Sequence, residues 1–143
     1  MLDLSAYYGS LLWLGILLVM VMVQWLVASY AKAKMPGAIP GVIPADLGHH
    51  NFVFRAWRTH QNTVENLGTM LGGAIFAILA GASPVWVNVM LTIMVLGRLL
   101  HMVLYYGIAT EKNPSPRSWF FMLAWFANFA LIIMGLVALL TAA

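Results

Sequence analysis

Arg58, Asn62 and Glu65 recur at i, i+4 and i+7 within the run Arg58-Thr59-His60-Gln61-Asn62-Thr63-Val64-Glu65-Asn66. On a helix, that spacing stacks a guanidinium, an amide and a carboxylate on one face. Arg98, His101 and Tyr105 form a second stripe at i, i+3 and i+7. A guanidinium fork matches the two oxygens of a carboxylate. A buried carboxylate suits an ammonium group, and an amide can both donate and accept. The set fits a ligand with carboxylates, an amine and peptide groups. The chain has no cysteine, which excludes a disulfide framework, a protein thiolate nucleophile and a cysteine-held metal. Thiol chemistry here would have to use a thiol brought by the ligand.

The elements that carry these groups belong in a bilayer. Of 143 residues, 63% are hydrophobic and 8% are charged, against about 25% charged in a soluble domain. The formal net charge of +3 could point to nucleic acid, but Lys and Arg scattered between apolar segments are better explained by membrane topology, so no nucleic-acid partner is expected. The first apolar segment lacks a basic region before it and exceeds a signal-sequence core, so it reads as a retained helix.

The predicted fold is all-α: an integral membrane four-helix bundle forming a single transmembrane domain over residues 1–143. Its helices are expected at about 7–31, 52–80, 84–109 and 117–140. The second is the instructive one. Its apolar part, Leu67 to Ala80, covers about 21 Å at 1.5 Å per residue, short of a bilayer core. Gly81-Ala82-Ser83-Pro84 closes off forward extension. The helix must therefore run backward and carry Glu65, Asn62 and Arg58 to membrane depth. An interfacial helix ahead of a short buried one is the alternative.

Lys32, Lys34, Arg55 and Arg58 flank the first loop, and Lys112 and Arg117 flank the third. The positive-inside rule puts both loops in the cytoplasm and both termini on the opposite side. Counted from those ends, Arg58, Asn62 and Glu65 lie about 9, 15 and 20 Å deep, and Tyr105, His101 and Arg98 about 6, 12 and 16 Å. The two stripes overlap in depth and suggest one cavity open to the cytoplasm. The plainer reading is a brace between Arg98 and Glu65, with Arg58 snorkelling. A brace needs two groups, and this half of the bundle offers many more.

The chain resembles the MAPEG family, membrane-associated proteins in eicosanoid and glutathione metabolism, along its whole length. The sharpest element is the helix 2 pattern Arg-Ala-His-x-Asn-x-x-Glu-Asn, here Arg58 to Asn66 with Thr59 at the second place. Arg98 with Tyr105 inside the third helix is the second element, and Pro116-Arg117-Ser118 the third. The resemblance implies a homotrimer with glutathione sites between subunits, opening to the cytoplasm, and a lipophilic second substrate arriving from membrane lipids. It implies that Arg55, Arg58, His60, Asn62, Glu65, Arg98, Tyr105 and Lys32 hold glutathione, with Glu65 on its amine. It assigns thiolate stabilisation to Arg117, with Tyr105 and Ser118 as further catalytic candidates.

Phe54 and Gly68 depart from the family's Glu and Pro, and Lys32 from its usual arginine. The compact loops fit a bacterial inner-membrane protein. The expected function is a membrane-bound glutathione transferase or peroxidase acting on lipophilic electrophiles. The alternatives are a non-enzymatic lipid-binding or regulatory relative, and a small transporter. The half of the bundle away from the basic loops has few polar groups beyond Asn88 and Asn128, which disfavours a pathway across the membrane. No metal is expected, because His49, His50, His60 and His101 contain no pair at i, i+4. His49-His50 lies in a Pro-rich first loop that could cover the site. Gly72-Gly73 with Gly68 puts small residues at a spacing of four, which suggests close helix packing.

Overall fold

A computed structural model describes residues 3–142. Four α-helices carry the chain: α1 Tyr8–Ala33, α2 Phe52–Leu79, α3 Pro84–Gly107 and α4 Pro116–Ala142, with a 3₁₀ turn at Leu4–Tyr7 leading into α1. There is no strand among the described residues. The bundle expected from the sequence is the one observed. The segments Leu4–Ala33, Pro84–Gly107 and Pro116–Thr141 are each long and apolar enough to cross a membrane. α2 falls outside that set because its first half is polar. It is nonetheless one unbroken helix of 28 residues, about 42 Å long, and runs through Gly68 without a break. The alternative of a separate interfacial helix is not what forms.

Helix ends follow local chemistry. Asn51 caps α2, its side chain accepting from the Val53 N–H at 2.8 Å. α2 closes in a Schellman turn: the Ala82 N–H reaches Ala77 O and the Gly81 N–H reaches Ile78 O, both at 3.0 Å. Gly81 sits there at φ 75°, which an L side chain rarely adopts. Pro84 then opens α3 at its first turn. α3 stops at Gly107 rather than the expected Ala109, because Ile108 is already extended. α4 starts one residue earlier than expected, at Pro116.

The tight α2–α3 turn makes those helices antiparallel neighbours. The buried Tyr7 hydroxyl donates to the Ala82 carbonyl, which ties the start of α1 to that turn. Tyr7 is therefore an interior anchor. Tyr8 is exposed, as a belt residue should be. Leu17, Leu91, Met94 and Leu131 are fully buried at the centre of a continuous apolar core. Leu12, Val19, Leu26, Trp119, Phe126 and Val137 point outward, as helices surrounded by lipid require.

Close helix packing falls on only one of the glycines expected. Gly73 is buried, and a Cβ there would lie 2.9 Å from Asn128 Oδ1 on α4. Gly68 and Gly72 face outward, and a Cβ at either would meet nothing within 4 Å. Gly97 meets backbone: a Cβ there would lie 3.0 Å from the Phe120 carbonyl and 3.1 Å from Ala124 Cβ. The helix 3–helix 4 seam depends on that missing side chain. We predict that Gly97→Leu pushes α4 away from α3 and lowers stability by about 1–3 kcal/mol, read as a lower thermal midpoint in detergent, whereas Gly72→Leu leaves the single chain's own packing intact.

Candidate functional site

Arg117 is the centre of the polar end of the bundle. It sits in the first turn of α4, buried at 8% exposure. Its guanidinium lies over the Tyr105 ring, 3.9 Å from the centroid, a distance at which the ring face attracts a cation. Its Nη2 donates to the Thr110 carbonyl at 2.9 Å and lies 3.5 Å from His49 Nδ1. Its Nη1 is buried without a partner. The arrangement leaves a cation with a free donor beside a phenol.

Ser118, one residue on, has a structural task. Its Oγ accepts from the Ser115 N–H at 3.1 Å, and the Ser118 N–H reaches Ser115 O at 2.8 Å. That reciprocal pair closes the start of α4 as a capping box does, and it sets the orientation from which Arg117 projects.

Arg98 and His101 lie deeper on α3, at 2% and 4% exposure. The plainer reading, a brace between Arg98 and Glu65, is not what forms. Arg98 Nη2 donates instead to Thr63 Oγ1 at 2.8 Å, and its guanidinium lies 5.5 Å from the Phe121 ring centroid. Thr63 in turn donates to Thr59 O at 3.1 Å, one helical turn back. The His101 ring packs against Tyr105 at 5.4 Å and Phe121 at 5.9 Å, which joins the Arg98 layer to the Arg117 cluster.

Glu65 is taken by Arg58. Their side chains meet at 2.8 Å and are 34% and 52% exposed, Arg58 first. Asn62 lies between them in sequence, half-buried, with its Oδ1 unpartnered. An exposed pair of this kind is worth at most about 1 kcal/mol. A ligand carboxylate for Arg58 and an ammonium for Glu65 would therefore meet little resistance from it.

Three of the predicted ligand-holding residues lie apart. Arg55 reaches the His49 carbonyl at 2.8 Å, the His50 carbonyl at 3.1 Å and the Tyr106 carbonyl at 3.2 and 3.3 Å. Its fork is engaged by backbone, so it straps the first loop to the end of α3. Lys32 and His60 line a groove between α1, α2 and the first loop, with Trp25, Trp57 and Gln61. None of those residues belongs to the Arg117 cluster.

His49 is the residue that sequence reasoning passed over. It was weighed as a metal ligand and as part of a loop that could cover the site, never as a site residue itself; the described residues contain no group of three His, Asp or Glu that could hold a metal. The structure sets its ring edge-on to Phe54 at 5.0 Å and tilted against Tyr105 at 5.7 Å. Burial, and then the neighbouring Arg117, hold its pKa below the ordinary value; Glu111 opposes this, while Arg55 and Arg58 add to it. The only sequence signal was its place in a loop long enough to fold back.

An all-helical bundle with apolar outer faces and its arginines gathered at one end defines an integral membrane protein. A model of the MAPEG family matches residues 10–137, nearly the whole chain, and the protein belongs to that family. The family includes glutathione transferases and also non-enzymatic members. No curated protein and no solved structure matches the chain.

The strap predicts a measurable effect. Arg55→Lys keeps the charge but loses the fork. Amide exchange across residues 48–51 should then quicken about tenfold or more, the consequence of losing charged hydrogen bonds worth about 1.5–3 kcal/mol each. Unchanged exchange would show that the strap does not hold the loop.

Proposed function

We propose that this protein is a membrane-bound glutathione transferase or peroxidase. It activates glutathione as a thiolate and uses it to conjugate or reduce lipophilic electrophiles. The observation that carries this reading is the buried Arg117 guanidinium, stacked on Tyr105 with Nη1 free. A fixed cation beside a thiol lowers its pKa and stabilises the nucleophilic form. Arg58, Asn62 and Glu65 offer the complementary groups for the peptide's carboxylate, amide and amine. The electrophile would come from the lipid that bathes the bundle, and glutathione from the cytoplasmic side of a bacterial inner membrane.

The active form we propose is a homotrimer with its sites between subunits. Within one chain, Lys32 and His60 lie in a groove separate from Arg117. A neighbouring copy that presents this groove to the Arg58–Glu65 face would join the two sets. That face of α2 continues through Gly68 and Gly72, both exposed and free of contacts. Small outward residues are what a second helix needs for close approach.

Adding glutathione to the purified protein should produce the ultraviolet absorbance of a thiolate, and a generic electrophile should be conjugated. Arg117→Ala should reduce the thiolate fraction at neutral pH about tenfold or more, the equivalent of one pKa unit. Undiminished thiolate in that variant would remove Arg117 from the role. No thiolate and no conjugation in the wild type would end the enzymatic reading in favour of a lipid-binding relative. Co-expressed Lys32→Ala and Arg117→Ala chains should regain part of the thiolate signal, since some mixed sites pair the two intact halves. No regain would place both residues in one chain's site.

A further inference from the structure

We propose that His49 is the group that receives the thiol proton, a role that rests on the glutathione reading above. The first loop is held so that its imidazole stands beside Arg117. Arg55 grips the carbonyls of His49 and His50, and Phe54 and Tyr105 wall the ring on two sides. A guanidinium can only donate. The Nδ1 that faces Arg117 Nη2 at 3.5 Å therefore presents its lone pair, and the ring proton sits on Nε2. That contact is long for a hydrogen bond, so Nδ1 is readily surrendered to a better donor. A sulfhydryl approaching the unpartnered Nη1 of Arg117 comes to the guanidinium that Nδ1 already faces.

The surrounding charges keep this acceptor empty until it is needed. Arg117 from α4, Arg55 and Arg58 from α2, and burial against Tyr105 of α3 disfavour a charged imidazole, and Glu111 of the third loop opposes them only in part. Free His49 is thus neutral above about pH 6.5. A thiolate changes the balance by bringing a negative charge beside Arg117, which has no carboxylate partner. The S–H bond breaks, the proton moves to Nδ1, and the electron pair stays on sulfur between an imidazolium and Arg117. When sulfur then bonds to the electrophile, the proton leaves His49 for the atom that takes up the displaced electron pair. Other nearby bases are less well placed: Glu65 is held by Arg58, and His101 is buried inside the bundle at 4% exposure.

Proton counting tests this directly. Glutathione is added to the wild type and to His49→Gln in weakly buffered detergent solution above about pH 6.5. Thiolate is read by absorbance and released protons by an indicator dye. The wild type should form thiolate while releasing little acid, because the proton stays on the protein. His49→Gln should release about one proton for each thiolate it still forms. Release of about one proton per thiolate by the wild type overturns the role of His49 and leaves the glutathione reading standing. Absence of thiolate in the wild type overturns the glutathione reading itself, and this inference with it. The wild-type count decides the matter even if the variant does not fold.

Discussion

Three arginines stand at one end of this bundle without a carboxylate for any of them. Burying a cation is costly unless polar groups surround it, and here the partners are neutral. Arg55 is met by three backbone carbonyls. Arg98 is met by the Thr63 hydroxyl and the face of Phe121. Arg117 is met by the Thr110 carbonyl, the Tyr105 ring and the His49 nitrogen. Neutral partners fix the geometry of a guanidinium without cancelling its charge. The end of the bundle therefore keeps a positive field, which the low local dielectric strengthens. The one ion pair among the described residues, Arg58 with Glu65, lies at the partly exposed edge, where an incoming ligand can exchange with it.

The rest of the fold serves that arrangement by dividing labour along the bundle. Toward the termini, an apolar core around Leu17, Leu91, Met94 and Leu131 holds the helices together. Gly97 brings α3 against α4, so the Tyr105 and Arg117 side chains, on different helices, meet face to face. Toward the basic loops, side chains are committed to positioning. Ser115 and Ser118 close the start of α4 beneath Arg117, and Arg55 fastens the first loop over the same spot. Residues outside the Arg117–Tyr105 contact thus set where those two side chains stand.

Much of this was legible in the chain. The shortness of the Leu67–Ala80 run required α2 to extend backward with its polar residues. Helical spacing put Arg98, His101 and Tyr105 on one face, and all three are buried together. Gly81 and Pro84 marked the turn that makes α2 and α3 neighbours. Pairing was not legible. Depth alone allowed Arg98 to brace against Glu65, yet Thr63, two residues earlier, is its partner. Side-chain azimuth differs by about 100° between consecutive helical residues, so two residues at the same depth can face opposite ways.

Composition and periodicity alone determined that this is a four-helix membrane protein with a concentrated polar end, because the cost of polar groups in lipid leaves so few arrangements. Tertiary structure alone decided what each polar group does. It made Arg55 a strap and Ser118 a cap, since both lie within reach of backbone groups that only the folded chain brings near. It set Lys32 and His60 in a groove away from Arg117, because Lys32 lies on α1 and His60 lines the groove between α1 and α2. It also carried His49 from the first loop to the side of Arg117, through contacts with residues on three different elements that no local spacing encodes.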